Sequence, residues 1–132
     1  MKTFSKVLSV NDTGENKKSH QSGVYIRRQD KTYFPPLNEE EKNPSVELTL
    51  RSHGIDFEEY KCRFIYYNSK KFGGTRNECR ITNAKGSKKG IGRFLKDSGA
   101  KAGDELWLTA TELVGVYEAM VIRREISLKT AA

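Results

Sequence analysis

Tyr60-Lys61-Cys62-Arg63-Phe64-Ile65-Tyr66-Tyr67-Asn68-Ser69, then Gly73-Gly74-Thr75-Arg76-Asn77-Glu78-Cys79-Arg80-Ile81-Thr82, is the stretch on which the fold turns. Its first part is rich in aromatic and β-branched residues, which suit a pleated surface. Cys62 alternates with charged neighbours and reads as a small core residue. Asn68-Ser69 closes that strand, and Gly73-Gly74 marks a second turn. The cluster behind the glycines is short enough for one strand and its approach, so the whole reads as strand, loop, strand.

The returning strand places Arg76, Asn77, Glu78 and Arg80 within five positions. Arg can donate two parallel hydrogen bonds to guanine O6 and N7, Glu can accept from cytosine N4, and Asn can pair with adenine N6 and N7. A solvated hairpin arm held by its own Arg–Glu ion pairs explains the same residues. Tyr66, Tyr67 and Phe72 could stack on unpaired bases, although their spacing fits strand packing.

Outward from this stretch the period-2 signal continues. Val46, Leu48 and Leu50 alternate with Glu47, Thr49 and Arg51, and Ser52-His53-Gly54 reads as a turn. Phe4 and Val7 to Val10, then Val24 and Ile26, predict two early strands separated by a polar loop from Asn11 to Ser22. That loop is long for a hairpin, which makes Lys17, Lys18, His20 and Gln21 candidates for function. Phe34-Pro35-Pro36 interrupts regular structure, and Asn38 with Glu41 resembles a capping box opening a short acidic helix. Ile91, Phe94 and Leu95 predict a helix within Lys88 to Lys96, with Gly99 as its stop. Strands are expected at Asp104 to Ala110, with Trp107 in the core, and at Val114 to Ile126. Seven strands and two short helices without βαβ repetition indicate a mainly β barrel or sandwich. Residues 1–126 form one domain in this reading, and 127–132 a tail or the start of a linker.

The charge is concentrated. The net +7 resolves into +3 for Met1 to Asp30, −4 for Lys31 to Tyr60, +9 for Lys61 to Ala100 and −1 for Lys101 to Ala132. The base-reading cluster lies in the +9 segment, a coincidence that favours nucleic acid over a general solubility charge. No stretch approaches the ~20 apolar residues of a spanning helix, and no membrane partner is expected. The polar start does not suit a signal peptide, and two cysteines do not make a disulfide framework, so a cytoplasmic location is expected. Cys62, Cys79, His20 and His53 lack metal-site spacing, so neither a metal nor another cofactor is expected. Asp56 with Glu59-Tyr60-Lys61 imitates a magnesium nuclease pattern, but the groups are too close in sequence for a two-strand site.

The chain resembles the N-terminal effector-binding domain of EcoRII-type restriction endonucleases. The likeness runs through Leu8 to Gly14 (LSVNDTG), His20 to Ile26 (HQSGVYI), Asn43 to Val46 (NPSV), Ile65 to Ser69 (IYYNS) and Thr75 to Thr82 (TRNECRIT). Phe94 to Leu108 is similar to the helix, Gly-Asp turn and strand of plant B-three transcription-factor domains, which share that fold. The resemblance implies a seven-stranded open pseudobarrel that grips the major groove of double-stranded DNA with two arms, roughly Asn11 to Tyr25 and Lys70 to Asn83. The implied target is 5′-CCWGG-3′, W being A or T, or a close relative. His20, Tyr25, Arg76, Glu78 and Arg80 carry over from the family's interface. The base-contact set is then Arg76, Asn77, Glu78, Arg80, His20 and Gln21, and the backbone set Lys17, Lys18, Tyr25, Arg63, Lys70 and Lys71. Gly74 and Cys79 stand where the family motif has lysines, and Glu15-Asn16-Lys17-Lys18-Ser19 replaces a Gly-rich run. No catalytic residue is expected in this chain. Cleavage belongs to a separate nuclease domain of a parent protein.

Overall fold

The computed structural model describes residues 2–14, 23–52 and 58–124. One seven-stranded sheet organises them: β1 (Thr3–Val7), β2 (Val24–Ile26), β3 (Ser45–Ser52), β4 (Glu59–Tyr67), β5 (Glu78–Asn83), β6 (Glu105–Ala110) and β7 (Val116–Ile122). Their order across the sheet is β1-β6-β7-β3-β4-β5-β2, and every neighbouring pair is antiparallel except β3 with β7. The sheet curls into a half-barrel whose edges are β1 and β2. No backbone ladder joins those edges. Instead the Lys6 ammonium donates across the gap to the Tyr25 carbonyl at 2.5 Å.

Alternation sends one face of each strand inward. Leu48, Leu50, Cys62, Phe64, Cys79, Ile81, Leu106 and Leu108 are buried in one cluster with Phe4, Val24 and Ile26. Phe34 from the Pro-rich segment plugs the half-barrel, stacking on Phe64 at 4.5 Å between ring centroids. Helix α2 (Ile91–Asp97) lays Ile91, Phe94 and Leu95 onto the same core, the stripe expected from the sequence.

Two local expectations fail for traceable reasons. The apolar run Val7 to Val10 does not continue as a strand, because Ser9 and Asp12 make a reciprocal capping box that starts the short helix α1 (Val10–Thr13). No acidic helix follows Asn38. The Asn38 carboxamide oxygen accepts from the Glu40 amide at 3.2 Å as an Asx turn. The buried Asn68 amide then donates to the Glu39 and Glu41 carbonyls at 3.3 and 2.8 Å. Tertiary capture, with Asn43 at φ +52 and Pro44 behind it, stops the segment after one turn, closed by the Glu41 amide on the Asn38 carbonyl at 3.1 Å. Trp107 is a third correction: it lies 37% exposed on the outward face of β6, beside Met120 on β7, and not in the core. The expected His53-Gly54 turn, Asp56 and residues 125–132 lie outside the described residues, and β7 ends at Ile122.

Candidate nucleic-acid interface

Pleating decides which members of the Arg76 to Arg80 string act together. On β5, Cys79 and Ile81 point inward, so Glu78, Arg80 and Thr82 share the outward face. Register places Tyr25 of β2 opposite Arg80, and on β4 it sets Ile65, Arg63 and Tyr67 opposite Arg80, Thr82 and Glu78. These residues form a continuous patch.

At its centre is a three-member ion pair. Glu78 Oε1 accepts from Arg76 Nε and Nη2 at 3.1 and 2.8 Å, while Oε2 accepts from Arg80 Nε at 3.1 Å with Nη2 at the same distance. The Arg76 guanidinium lies 3.7 Å over the Tyr67 ring, and that of Arg80 lies 5.9 Å from the Tyr25 ring centroid. Arg80 is sunk into the sheet, with 6% of its side chain exposed against 43% for Arg76. Burial pushes the Glu78 carboxyl up, but the Arg76 hydrogen bond and the charges of Arg80 and Arg76 outweigh it and hold it below the usual glutamate range.

Asn77 belongs to the opposite face. Its side-chain oxygen accepts from the Tyr66 hydroxyl at 2.5 Å. It also lines a recess of about 250 Å³ with Glu39, Tyr66, Asn68, Lys70 and Lys71. Lys71 turns toward the acidic loop, donating to the Glu39 carbonyl at 3.2 Å and pairing with Glu40 at 3.3 Å. Lys70 is exposed, and its amide donates to the Arg76 carbonyl at 2.9 Å. Arg63 reaches across strands, its Nε donating to Thr82 Oγ1 at 3.0 Å.

The loop between β4 and β5 is compact. A 3-10 turn (Ser69–Phe72) leads to Gly73 at φ +92; the Gly74 amide then donates to the Ser69 carbonyl at 2.7 Å, and the Arg76 amide to Ser69 Oγ at 3.0 Å. A β-carbon on Gly74 would lie 2.7 Å from Ser69 Oγ, so close approach demands glycine there. Residues 15–22 connect α1 to β2 in the sequence. His20, Gln21, Lys17 and Lys18 are among them and lie outside the described residues. β2 is entered through Gly23, φ +83, where a β-carbon would collide with the Ile81 carbonyl oxygen. Gly23 lies opposite Thr82, so the two loop roots are separated by the four-residue step from Glu78 to Thr82, about 13 Å at ~3.3 Å per residue.

Sequence reasoning missed Lys6 and Asp12. Asp12 is buried, caps α1, accepts the Tyr25 amide at 3.0 Å and pairs with Lys6 at 2.6 Å. Lys6 in turn lies 5.3 Å from the Tyr25 ring centroid, so this pair fixes Tyr25 beside Arg80. The Ser9–Asp12 spacing was the available signal, but the apolar run around it masked it.

The family described as "Restriction endonuclease EcoRII, N-terminal" matches residues 1–107. This chain belongs to the EcoRII N-terminal family. Among its relatives is the type II restriction enzyme EcoRII of Escherichia coli, 47% identical over 81 residues, a match covering 60% of this chain and 20% of that enzyme's length. The fold of this EcoRII N-terminal chain is similar to that of the Arabidopsis FUS3–DNA complex, with a TM-score of 0.65 and 15% identity, covering 91% of this chain and 95% of the other.

Proposed function

We propose that this chain is a non-catalytic recognition domain of a restriction endonuclease that binds double-stranded DNA by sequence, through the major groove. The observation that carries the reading is the Arg76–Glu78–Arg80 assembly on an outward sheet face between two loop roots. The ~13 Å between those roots is close to the ~12 Å width of the major groove. The expected target is 5′-CCWGG-3′ or a close relative, whose G·C pairs suit Arg and Glu readers.

Both oxygens of Glu78 are occupied in the free domain, each facing two guanidinium nitrogens. Base reading is therefore an exchange. Arg76 is half-exposed, so releasing it from Glu78 costs less than ~1 kcal/mol. That release frees its two parallel donors for guanine and an oxygen of Glu78 for cytosine N4. Arg80 stays at the floor, orienting the carboxylate. Asn77, turned to the Tyr66 side, plays no part in this exchange. Lys6, Arg63 and Lys70 supply cations around the patch, and Lys17, Lys18, His20 and Gln21 belong to the second arm in this reading.

The rival readings find less support. Tyr25 and Tyr67 lie against cations, and Tyr66 has Lys31 4.7 Å from its ring centroid, so stacking unpaired bases requires displacing those groups. Glu59 is engaged by Arg51 at 3.2 Å and Lys61 at 3.9 Å, as a surface ion pair. Among the described residues no group of three His, Cys, Asp or Glu side chains is placed to hold a metal ion. Cleavage is assigned to a separate catalytic domain of the parent protein. The deciding test is equilibrium binding at matched salt to 5′-CCWGG-3′ and scrambled duplexes, with single strands as competitors. Equal affinity for the two duplexes, or preference for single strands, overturns the proposal.

A further inference from the structure

The fold on either side of residues 15–22 is tied at one point. Helix α1 is capped at Gly14 and β2 follows Gly23, and Asp12 holds both sides of that interval. Its Oδ2 accepts from the Ser9 amide at 2.9 Å and from the Lys6 ammonium at 2.6 Å. Its Oδ1 accepts from the Tyr25 amide, 13 residues on, at 3.0 Å. One carboxylate therefore joins β1, the cap of α1 and the middle of β2. The Asp12 side chain is 1% exposed, enclosed by the groups it holds.

The direction of these bonds decides what Asp12 does for Tyr25. In an antiparallel pair, a residue's N–H and C=O both point at the partner strand or both point away from it. Tyr25 donates its N–H to Asp12 and its carbonyl accepts from Lys6, so both groups point away from β5. Tyr25 and Arg80, opposite one another in the register, are then a non-hydrogen-bonded pair, the kind whose side chains lie closer. The ladder to β5 runs instead through Val24 and Ile26, opposite Ile81 and Cys79. Asp12 and Lys6 thus take the place of a neighbouring strand along the outer edge of β2. Burial holds the Lys6 ammonium below the usual lysine range against the pull of Asp12, and the nearby Arg80 charge adds to that lowering.

We propose that Asp12 is a positioning residue for duplex recognition: by gripping the backbone of Tyr25 it seats that ring against Arg80 and, through Arg80, aims the Glu78 carboxylate. This rests on the double-stranded DNA reading above and adds a residue that acts on discrimination from beneath the patch. The path is continuous. Asp12 holds the Tyr25 amide at 3.0 Å, the Tyr25 ring centroid lies 5.9 Å from the Arg80 guanidinium, and Arg80 Nε donates to Glu78 at 3.1 Å. Asp12 does not touch DNA itself, because an enclosed carboxylate reaches no base edge and is repelled by phosphate. The same carboxylate sets how far apart the two ends of residues 15–22 stand.

The test compares the parent chain with Asp12→Ala, Asp12→Asn, Tyr25→Ala and the Asp12→Ala/Tyr25→Ala double variant. Affinities for 5′-CCWGG-3′ and scrambled duplexes are measured by fluorescence anisotropy at matched salt, below every thermal midpoint, and hydrogen exchange of the Tyr25 amide is followed by NMR. In Asp12→Ala that amide exchanges faster and the preference for the site over scrambled duplex falls about tenfold, within the range that one base-reading pair commands. Affinity for scrambled duplex is kept. Asp12→Asn retains an oxygen for the Tyr25 amide and loses less of both. In the Tyr25→Ala background, Asp12→Ala costs no further discrimination. If Asp12→Ala leaves Lys6 unpaired and does not fold, Asp12→Asn with and without Tyr25→Ala is judged by the same criteria. Unchanged discrimination in the folded Asp12 variants, or a loss that adds to that of Tyr25→Ala, overturns the positioning role alone. Failure of the parent chain itself to prefer the site over scrambled duplex sinks the recognition reading, and the positioning role with it.

Discussion

Glu78→Gln removes one charge while keeping the side chain's shape, and so isolates what the carboxylate does between two guanidinium groups. In the free domain the half-exposed Arg76 pair contributes under ~1 kcal/mol. Hydrogen bonds from the buried Arg80 to a charged acceptor contribute about 1.5–3 kcal/mol. A combined loss of about 2–3 kcal/mol lowers the midpoint of a domain this size by roughly 6–15 °C. In the proposed complex the same carboxylate accepts from cytosine N4, worth about 1–3 kcal/mol, so preference for cytosine at that position is expected to fall by roughly 5- to 150-fold. The assay pairs calorimetry with competition binding over all single-base variants of the site, at one ionic strength and a temperature where both proteins are folded. An unchanged melting temperature refutes the three-member ion pair as a stabilising unit. An equal loss of affinity for every duplex, scrambled ones included, refutes base reading by Glu78 and leaves it as arm structure.

Acid unfolding checks the same group by a different route. Glu78 and Asp97 both have carboxyls held below their ordinary values, Asp97 by hydrogen bonds from Tyr60 and Arg93. Depressed carboxyls stabilise the fold above the unfolded-state value near pH 4 and lose that contribution as pH falls through the folded-state values. The stability of the parent chain should therefore fall steeply below about pH 4, and Glu78→Gln should show a shallower fall, measured by urea midpoints against pH. Gly23→Ala places a β-carbon inside the Ile81 carbonyl at φ +83 and should destabilise by at least ~2 kcal/mol, read from the thermal midpoint. Burial pushes the Cys62 thiol up to about 12 and the Cys79 thiol up to about 11. Neither should react with a thiol-specific disulfide reagent at pH 8 until denaturant is added; stoichiometric reaction of the folded chain would contradict the core packing.

The strands were legible because alternation is a physical consequence of burying one face of a sheet. Leu48 and Leu50 on β3, and Tyr60, Cys62 and Phe64 on β4, occupy the core as their period-2 pattern requires. What stayed hidden depends on groups distant in sequence. Asn38 to Glu41 carries a helix-start signal, yet Asn68, 27 residues beyond Glu41, takes the carbonyls that a helix would use. Trp107 and Leu106 are neighbours of similar hydrophobicity, and only the register with Met120 decides that the indole faces outward. At the candidate site, the residue types were visible but their grouping was not. Pleating separates Asn77 from Arg76, Glu78 and Arg80, and the Lys6–Asp12 pair that seats Tyr25 spans separate elements.

The two positions where the family resemblance leads one to expect lysine acquire a physical explanation from the same pleating. Position 79 is inward, fully buried, and feels the charges of Lys31 and Glu39. Glu39 already has a cation here, Lys31 at 3.0 Å, so a thiol at 79 leaves no carboxylate unmet beneath the arm. Position 74 touches Ser69, which also holds the Arg76 amide, so glycine there tightens the loop from which Arg76 emerges. The thiol at 79 removes no group from the outward face that carries Glu78 and Arg80, whereas position 74 is exposed on the loop leading to Arg76. The charge difference at 79 therefore acts on the packing beneath β5, while that at 74 leaves the exposed loop before Arg76 one cation short of the family motif.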